Sequence, residues 1–299
     1  MLFQRTTPEQ KRAALRLALS SGKLLRFPGS FSPLVSMLIE EIGFDGIYIS
    51  GAALSADLGL PDIGLTTLND VATRGRAVAR VTKLPALIDI DTGFGEPMNA
   101  ARTIQEMEEL GLAGCHLEDQ IQPKRCGHLD NKTLADTATM SRKIQAAAKA
   151  KRDPNFLLIA RTDARASEGL DHAIARAKAY IDAGAEMIFP EALQNEAEFE
   201  AFRKAINVPL LANMTEFGKS PLLTRDQLER LGYNMVIYPV TTLRLAMKAI
   251  EDGLRQIDSA GGQAEILDLM QTRTRLYELI RYKDYNEFDQ AIYNFEKHP

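Results

Sequence analysis

Lys124, Arg125, Cys126, Gly127 and His128 put two permanent cations, a thiol, a flexible backbone point and an imidazole into five consecutive positions. Cations beside a thiol lower its pKa, so Cys126 can trade protons near neutral pH, and Lys124, Arg125 and His128 around it make this stretch read as a catalytic loop. Asp89 and Asp91 stand two apart at the end of an apolar run. On a strand such a pair faces one way, and two carboxylates aimed together repel unless a cation separates them. A hard divalent ion meets that need: Mg2+ keeping several waters, with Mn2+ as the alternative. Glu118 and Asp62 are candidate further ligands. A capping or turn pair is the plainer account of the two aspartates, and their position at a strand end speaks against it. Arg161 and Arg244 are cations of the kind that grip carboxylates bidentately, and Asn213 and Thr215 add neutral donors. Together they read as a receptor for a small polyanionic acid. For Arg161 the structural alternative is an ion pair with Asp163 or Glu191. Cys115 and His116, inside an apolar run, read as buried structural residues, and His172 as an exposed helix residue.

These groups need a frame, and the chain supplies a repeating one. Short apolar runs lie near 24–28, 46–51, 85–90, 114–118, 156–161, 186–190, 208–212 and 235–239. Segments of helical period follow nearly all of them, including Thr242 to Gly253 after the last. Eight strand-helix units predict a single α/β domain over 1–299, a closed (β/α)8 TIM-type barrel. Gly43, Gly111, Gly184 and Gly232 recur just before strands, where a glycine ends a helix and turns the chain. An open doubly wound sheet is the rival, but no G-x-G-x-x-G follows the first run. An opening helix is expected over 8–21, capped by Thr7 with Pro8 in its first turn. A helical tail, 263–299, exceeds what a barrel requires and is expected to serve oligomer packing. In a barrel of this kind chemistry sits at the C-terminal strand ends and the loops that follow them, where the candidate site residues named above fall.

Composition narrows the class. Of 299 residues 45% are hydrophobic and 25% charged, as in ordinary globular domains. The net charge of −4 comes without a Lys/Arg-rich run, so nucleic acid is not an expected partner. Two cysteines make no disulfide framework, no apolar run is long enough to span a membrane, and residues 1–20 lack a signal-peptide core. A cytoplasmic protein is the expectation.

With these residues assembled, the sequence resembles the isocitrate lyase/phosphoenolpyruvate mutase superfamily and, within it, the methylisocitrate branch. The likeness covers nearly the whole chain. It rests on Lys124-Arg125-Cys126-Gly127-His128, Asp89-Ile90-Asp91-Thr92-Gly93-Phe94-Gly95, Ser50-Gly51-Ala52, Asn213-Met214-Thr215-Glu216-Phe217-Gly218 and Met270-Gln271-Thr272-Arg273. Isocitrate lyases usually carry two lysines before the cysteine and a long insertion. Arg125 and the shorter chain point to the methylisocitrate branch.

The resemblance implies a homotetramer in which the last barrel helix is exchanged with a neighbour. It also implies Mg2+ held by Asp89 and Asp91, with Asp62 and Glu118 in its shell. Substrate contacts would come from Ser50, Gly51, Ala52, Cys126, Gly127, Arg161, Glu191, Asn213, Met214, Thr215, Arg244 and Arg273. Ala52 stands where the family often has a second glycine. The activity implied is retro-aldol-type cleavage of the tricarboxylate 2-methylisocitrate to pyruvate and succinate, a step of the methylcitrate cycle in propionate breakdown. Cys126 would protonate the carbanion. Tyr48 is the candidate base, with a water or a carboxylate as alternatives. An isocitrate lyase, another substituted-malate lyase or an oxaloacetate-type hydrolase would share the fold and metal site; a thiol acid weighs against hydrolysis. A non-catalytic barrel would need none of this constellation.

Overall fold

The computed structural model describes residues 2, 4–125, 127 and 132–294, and the chain divides into two compact units, 1–243 and 244–299. Cys126 and His128 lie outside the described residues.

The first unit is built on eight parallel strands: β1 (Leu25–Pro28), β2 (Ile47–Ile49), β3 (Ala86–Asp89), β4 (Gly114–Glu118), β5 (Leu157–Thr162), β6 (Met187–Pro190), β7 (Leu211–Asn213) and β8 (Met235–Tyr238). Their ladders run β2-β3-β4-β5-β6 and β1-β8-β7. Single parallel bridges, Gly29 to Tyr48 and Ile188 to Leu210, join the two sets into a ring. The expected closed barrel is therefore present. β4 has the bounds anticipated from its apolar run. β7 begins later than the run at 208–212, because Pro209 has no backbone donor for a ladder and contributes only its carbonyl, to Ile188 N at 3.0 Å.

Strand side chains alternate between two separate apolar clusters. Phe27, Tyr48, Leu87, Leu157, Ile159, Met187, Phe189, Leu211 and Ile237 fill the barrel interior. Ile47, Ile49, Ile88, Leu117, Leu158, Ile188 and Val236 face the surrounding helices, and Cys115 packs with them as expected of a buried apolar residue. Alternation of this kind makes the interior a packed plug and leaves polar side chains only at its upper end.

The lower end is sealed by α1 (Pro8–Ser20), which starts with the anticipated Thr7 cap in a capping box with Gln10. Leu15 and Leu19 join the interior cluster. Its cations dock on backbone carbonyls: Lys11 Nζ on the helix-end carbonyl of Ala79 at 2.7 Å, and at strand entries Arg12 Nε on Leu112 O at 2.8 Å and Arg16 Nη2 on Phe156 O at 2.9 Å. The glycines that precede strands take left-handed φ: Gly43 (89°), Gly111 (86°), Gly184 (114°) and Gly232 (78°).

The second unit carries most of the helix Thr241–Ala260, a 3-10 segment Ala264–Leu269 and the helices Arg273–Leu279 and Tyr282–Tyr293. It begins at Arg244, earlier than the tail boundary expected at 263. Ile266 packs at Gly253, and Ile266 and Leu279 are its buried apolar residues among those described. Leu245, Met247, Ile250 and Leu254 are exposed. Among the described residues no helix is long and apolar enough to cross a membrane.

Candidate active site

Ladder register decides which side chains meet at the upper end. Asp89 pairs with His116, Glu118 with Arg161, and Arg161 with Phe189. His116 and Glu118 therefore share the inward face of β4, and Arg161 lies beside Glu118.

Asp91 is not a strand residue. Its φ is 47°, a left-handed value, and Gly93 (86°), Phe94 (58°) and Gly95 (142°) continue the distorted loop. The i, i+2 argument for a common direction thus fails in detail, because the chain turns after Asp89. The two carboxylates converge nonetheless. A Cβ on Gly51 would lie 2.8 Å from Asp89 Oδ2 and 3.4 Å from Asp91 Oδ1, and Gly51 N donates to Asp89 Oδ2 at 3.2 Å. Ser50 caps the helix Gly51–Asp57 through its hydroxyl, which aims that helix start and the Gly51 N–H at Asp89.

Lys124, 3% exposed, lies between Asp62 Oδ1 (2.5 Å) and Asp91 Oδ1 (2.8 Å). Burial opposes its charge, but Glu118, Asp91, Asp89 and Asp62 outweigh that and hold the ammonium protonated. The lysine read from sequence as tuning the thiol thus also serves the acidic cluster. Burial and the charge of Asp89 push the Asp91 carboxyl up. Burial also opposes charge on Asp89, yet His116, Lys124 and Arg161 bring its carboxyl below the usual range. Glu118 is pushed well up by burial.

Arg161 is caged. Its Nε and Nη2 donate to Asp163 at 2.9 and 3.2 Å, with Glu118 Oε2 at 3.3 Å, Glu191 Oε2 at 3.2 Å and the Phe189 ring 5.1 Å below. The structural ion pair weighed from the sequence is thus present, with Glu118 as a third carboxylate beside Asp163 and Glu191. Burial alone would raise Asp163, but Arg161 and Lys132 bring it down to about 2. Asn213 Nδ2 reaches both Glu191 oxygens at 3.3 Å, and its buried Oδ1 has no hydrogen-bond partner. Ala192, directly after Glu191, holds a φ of 59°.

Several sequence expectations change here. Met214 belongs to the outer cluster and its Sδ accepts from Leu223 N at 3.1 Å, so its side chain is core rather than a substrate contact. Tyr48 is buried, with its hydroxyl 2.7 Å from His116 Nε2, and burial pushes its pKa well above 10, which argues against a phenolate base. His116 is more than a filler. Burial lowers it to about 4, so the ring is neutral; its Nε2 meets the Tyr48 hydroxyl, while its Nδ1 is buried without a hydrogen bond, 3.8 Å from Asp89 Oδ1. Its parity with Glu118 was the signal that could have found it. Lys132 and Asp119 carried no such signal. His172 is exposed as expected. Arg244 and Arg273 belong to the second unit, on its first helix and at the start of Arg273–Leu279.

The donor set fits a hard cation. Glu118 Oε1 is buried without a hydrogen bond among the described residues, Asp91 Oδ1 and Glu118 Oε2 meet only the cations Lys124 (2.8 Å) and Arg161 (3.3 Å), and every candidate donor is a carboxylate oxygen. Among the described residues no three His, Cys, Asp or Glu side chains form a ready cage. Mg2+ asks for one or two carboxylates and retains waters, which suits this site.

The sequence pattern of the phosphoenolpyruvate phosphomutase family matches residues 15–258. The chain belongs to that family. It is 60% identical over 289 residues to a protein of Corynebacterium glutamicum named probable 2-methylisocitrate lyase 1, covering 96% of this chain and 95% of that one. It is 45% identical to the 2-methylisocitrate lyase of Escherichia coli, covering 92% and 93%. Among solved structures, oxaloacetate acetylhydrolase bound to 3,3-difluorooxalacetate superposes with a TM-score of 0.91 at 33% identity, covering 97% of this chain and all of that one. A phosphonopyruvate hydrolase bound to oxalate and Mg2+ gives 0.86 at 31% identity, covering 96% and 99%. Family membership agrees with the placement read from the motifs.

Proposed function

We propose that the chain is a Mg2+-dependent carbon–carbon lyase that cleaves 2-methylisocitrate to pyruvate and succinate. The observation that carries this reading is the barrel mouth itself: a buried cluster of carboxylates around Lys124, beside an arginine held by three carboxylates. The 43–60% identity to proteins named 2-methylisocitrate lyase supports the substrate.

Asp89 and Asp91 hold the ion, with Asp62 and Glu118 in its shell. When bound, the ion supplies Lewis-acid polarisation of a 2-hydroxy acid. Ser50, Gly51 and Ala52 approach the same fragment from β2. Arg161, Asn213 and Thr215, with Glu191 behind them, stabilise charge that develops on the succinate fragment as the C–C bond breaks. Cys126 returns a proton to that carbanion, with Lys124, Arg125 and His128 setting its acidity and Gly127 allowing close approach. Tyr48 and His116 form the floor under Asp89. Arg244 and Arg273 grip the remaining carboxylates. The exposed apolar residues of the second unit support a homotetramer with segment 263–299 at subunit contacts, and a cytoplasmic enzyme is part of the same proposal.

The test is a coupled pyruvate assay on purified protein with Mg2+, offering 2-methylisocitrate, isocitrate and oxaloacetate separately, alongside Cys126→Ser. Pyruvate from the methylated acid, lost in the variant, supports the reading. Glyoxylate formed faster from isocitrate, or cleavage of oxaloacetate alone, overturns it.

A further inference from the structure

The loop between β4 and the helix Thr137–Ala150 has a closed base. Gln120 bridges Leu134, Ile121 N donates to Thr133 O at 2.8 Å, and Ala135 N donates to Asp119 O at 2.8 Å. Inside that base Gln120 binds the Arg125 backbone on both sides, at 2.8 Å each. Gly127 is buried, and a Cβ there would lie 2.5 Å from Glu191 Cγ and nearer still to Arg161 Nη2.

One side chain spans this arrangement. Lys132 Nζ donates to the Gly127 carbonyl and, at 2.9 Å, to Asp163 Oδ1. Its side chain is 2% exposed, and Asp163 is fully buried. Asp163 is independently fixed, by the two bonds from Arg161 and by its own N–H to Asp119 Oδ1 at 2.9 Å. The rim is thus rigid without Lys132, whereas the descent of Gly127 onto Arg161 and Glu191 is tied to the rim through it.

We propose that Lys132 is a positioning residue: bridging the Gly127 carbonyl and Asp163, it holds the Gly127 backbone against Arg161 and Glu191 in the geometry the reaction needs. Desolvating a lysine is unfavourable unless its hydrogen bonds are met, and here its partners are a loop carbonyl and a rim carboxylate. Losing the ammonium frees the loop and leaves Arg161 in its cage. The kinetic part of the proposal rests on the lyase reading; the structural part does not.

The experiment compares wild type, Lys132→Met and Lys132→Arg as full chains with Mg2+. Hydrogen–deuterium exchange of peptides covering residues 120–127 is read without substrate, and kcat, KM and Tm are measured separately. In Lys132→Met exchange rises about 10-fold or more, because the Lys124 and Arg125 amides open with the loop. kcat falls roughly 10–100-fold with KM changed far less, and Lys132→Arg recovers a substantial part of it. Wild-type exchange and kcat in Lys132→Met overturn the proposal. So does faster exchange across the barrel strands with a collapsed Tm in both variants, which marks a merely structural lysine. A wild type that cleaves no methylisocitrate refutes the lyase reading, while the substrate-free exchange still decides the latch.

Discussion

Gly127→Ala tests how closely the loop must seat. The added Cβ lies 2.5 Å from Glu191 Cγ and 2.8 Å from Cδ, where ordinary contact begins at 3.4 Å. Neither obstacle is free to swing. Arg161 is held by Asp163, Glu118 and Glu191, and the Glu191 carboxylate receives Asn213 and its neighbour's N–H. The loop must therefore rise by at least the Glu191 shortfall, 3.4 − 2.5 = 0.9 Å, and further to clear the nearer Arg161 Nη2, before its closed position is van der Waals-allowed. A displacement of about 1 Å at a proton donor is worth ~10²-fold in rate, or ~2.7 kcal/mol of barrier. The barrel does not depend on this contact, so global stability changes by less than about 1 kcal/mol. Pyruvate formation coupled to lactate dehydrogenase gives kcat, and a denaturant melt gives stability. A folded Gly127→Ala enzyme within about threefold of wild-type kcat refutes the reasoning, because the loop would then work without touching Arg161 and Glu191.

Two further outcomes follow from the interior. Tyr48→Phe leaves His116 Nε2 without its partner at 2.7 Å, so stability falls by about 1–3 kcal/mol in a urea melt while kcat changes less than about 10-fold; a loss of ~10³-fold or more restores Tyr48 as the base. Asp163 is lowered from 3.8 to about 2, so its stabilisation is complete above the unfolded value and lost as pH falls through the folded one. At 1.36 kcal/mol per unit the difference amounts to roughly 2 kcal/mol, so wild type loses about that much more stability than Asp163→Asn as pH falls from about 5 to about 1, measured by denaturant melts. Parallel pH profiles refute the pairing.

The barrel was legible because its signals are local. Eight apolar runs of strand length, glycines before strands and the Thr7 cap each reflect a backbone requirement that adjacent residues satisfy. Site residues at strand ends were legible for the same reason, since strand order alone sends Asp89, Glu118, Arg161 and Glu191 to one mouth. What escaped depends on register and on chain reversal. His116 looked apolar by context, and only pairing with Asp89 across β3 and β4 shows that it faces inward. Asp91 was assigned its direction by strand geometry that ends two residues earlier, and it reaches the same place through a left-handed turn. Met214 sits between two mouth residues in sequence but points the opposite way, as strand alternation requires.

Lys124 shows why the acidic cluster and the loop cannot be treated apart. Asp62, Asp89, Asp91 and Glu118 concentrate carboxylates that burial alone would neutralise, and the ammonium from the loop is the nearest cation that offsets them. Lys132 repeats the arrangement two strands along, on Asp163. One loop thus sends two buried lysines to the barrel rim, one onto Asp62 and Asp91 and one onto Asp163, in the segments that follow β2, β3 and β5. The seating of the loop is set by charge pairs rather than by apolar packing, and such pairs weaken together when a carboxylate is protonated or recruited elsewhere. A divalent ion drawing Asp91 away from Lys124 would loosen one side and leave the Lys132 side to hold. The two lysines are for that reason expected to contribute unequally in the presence and absence of Mg2+, with Lys132 dominating loop protection once the ion is bound.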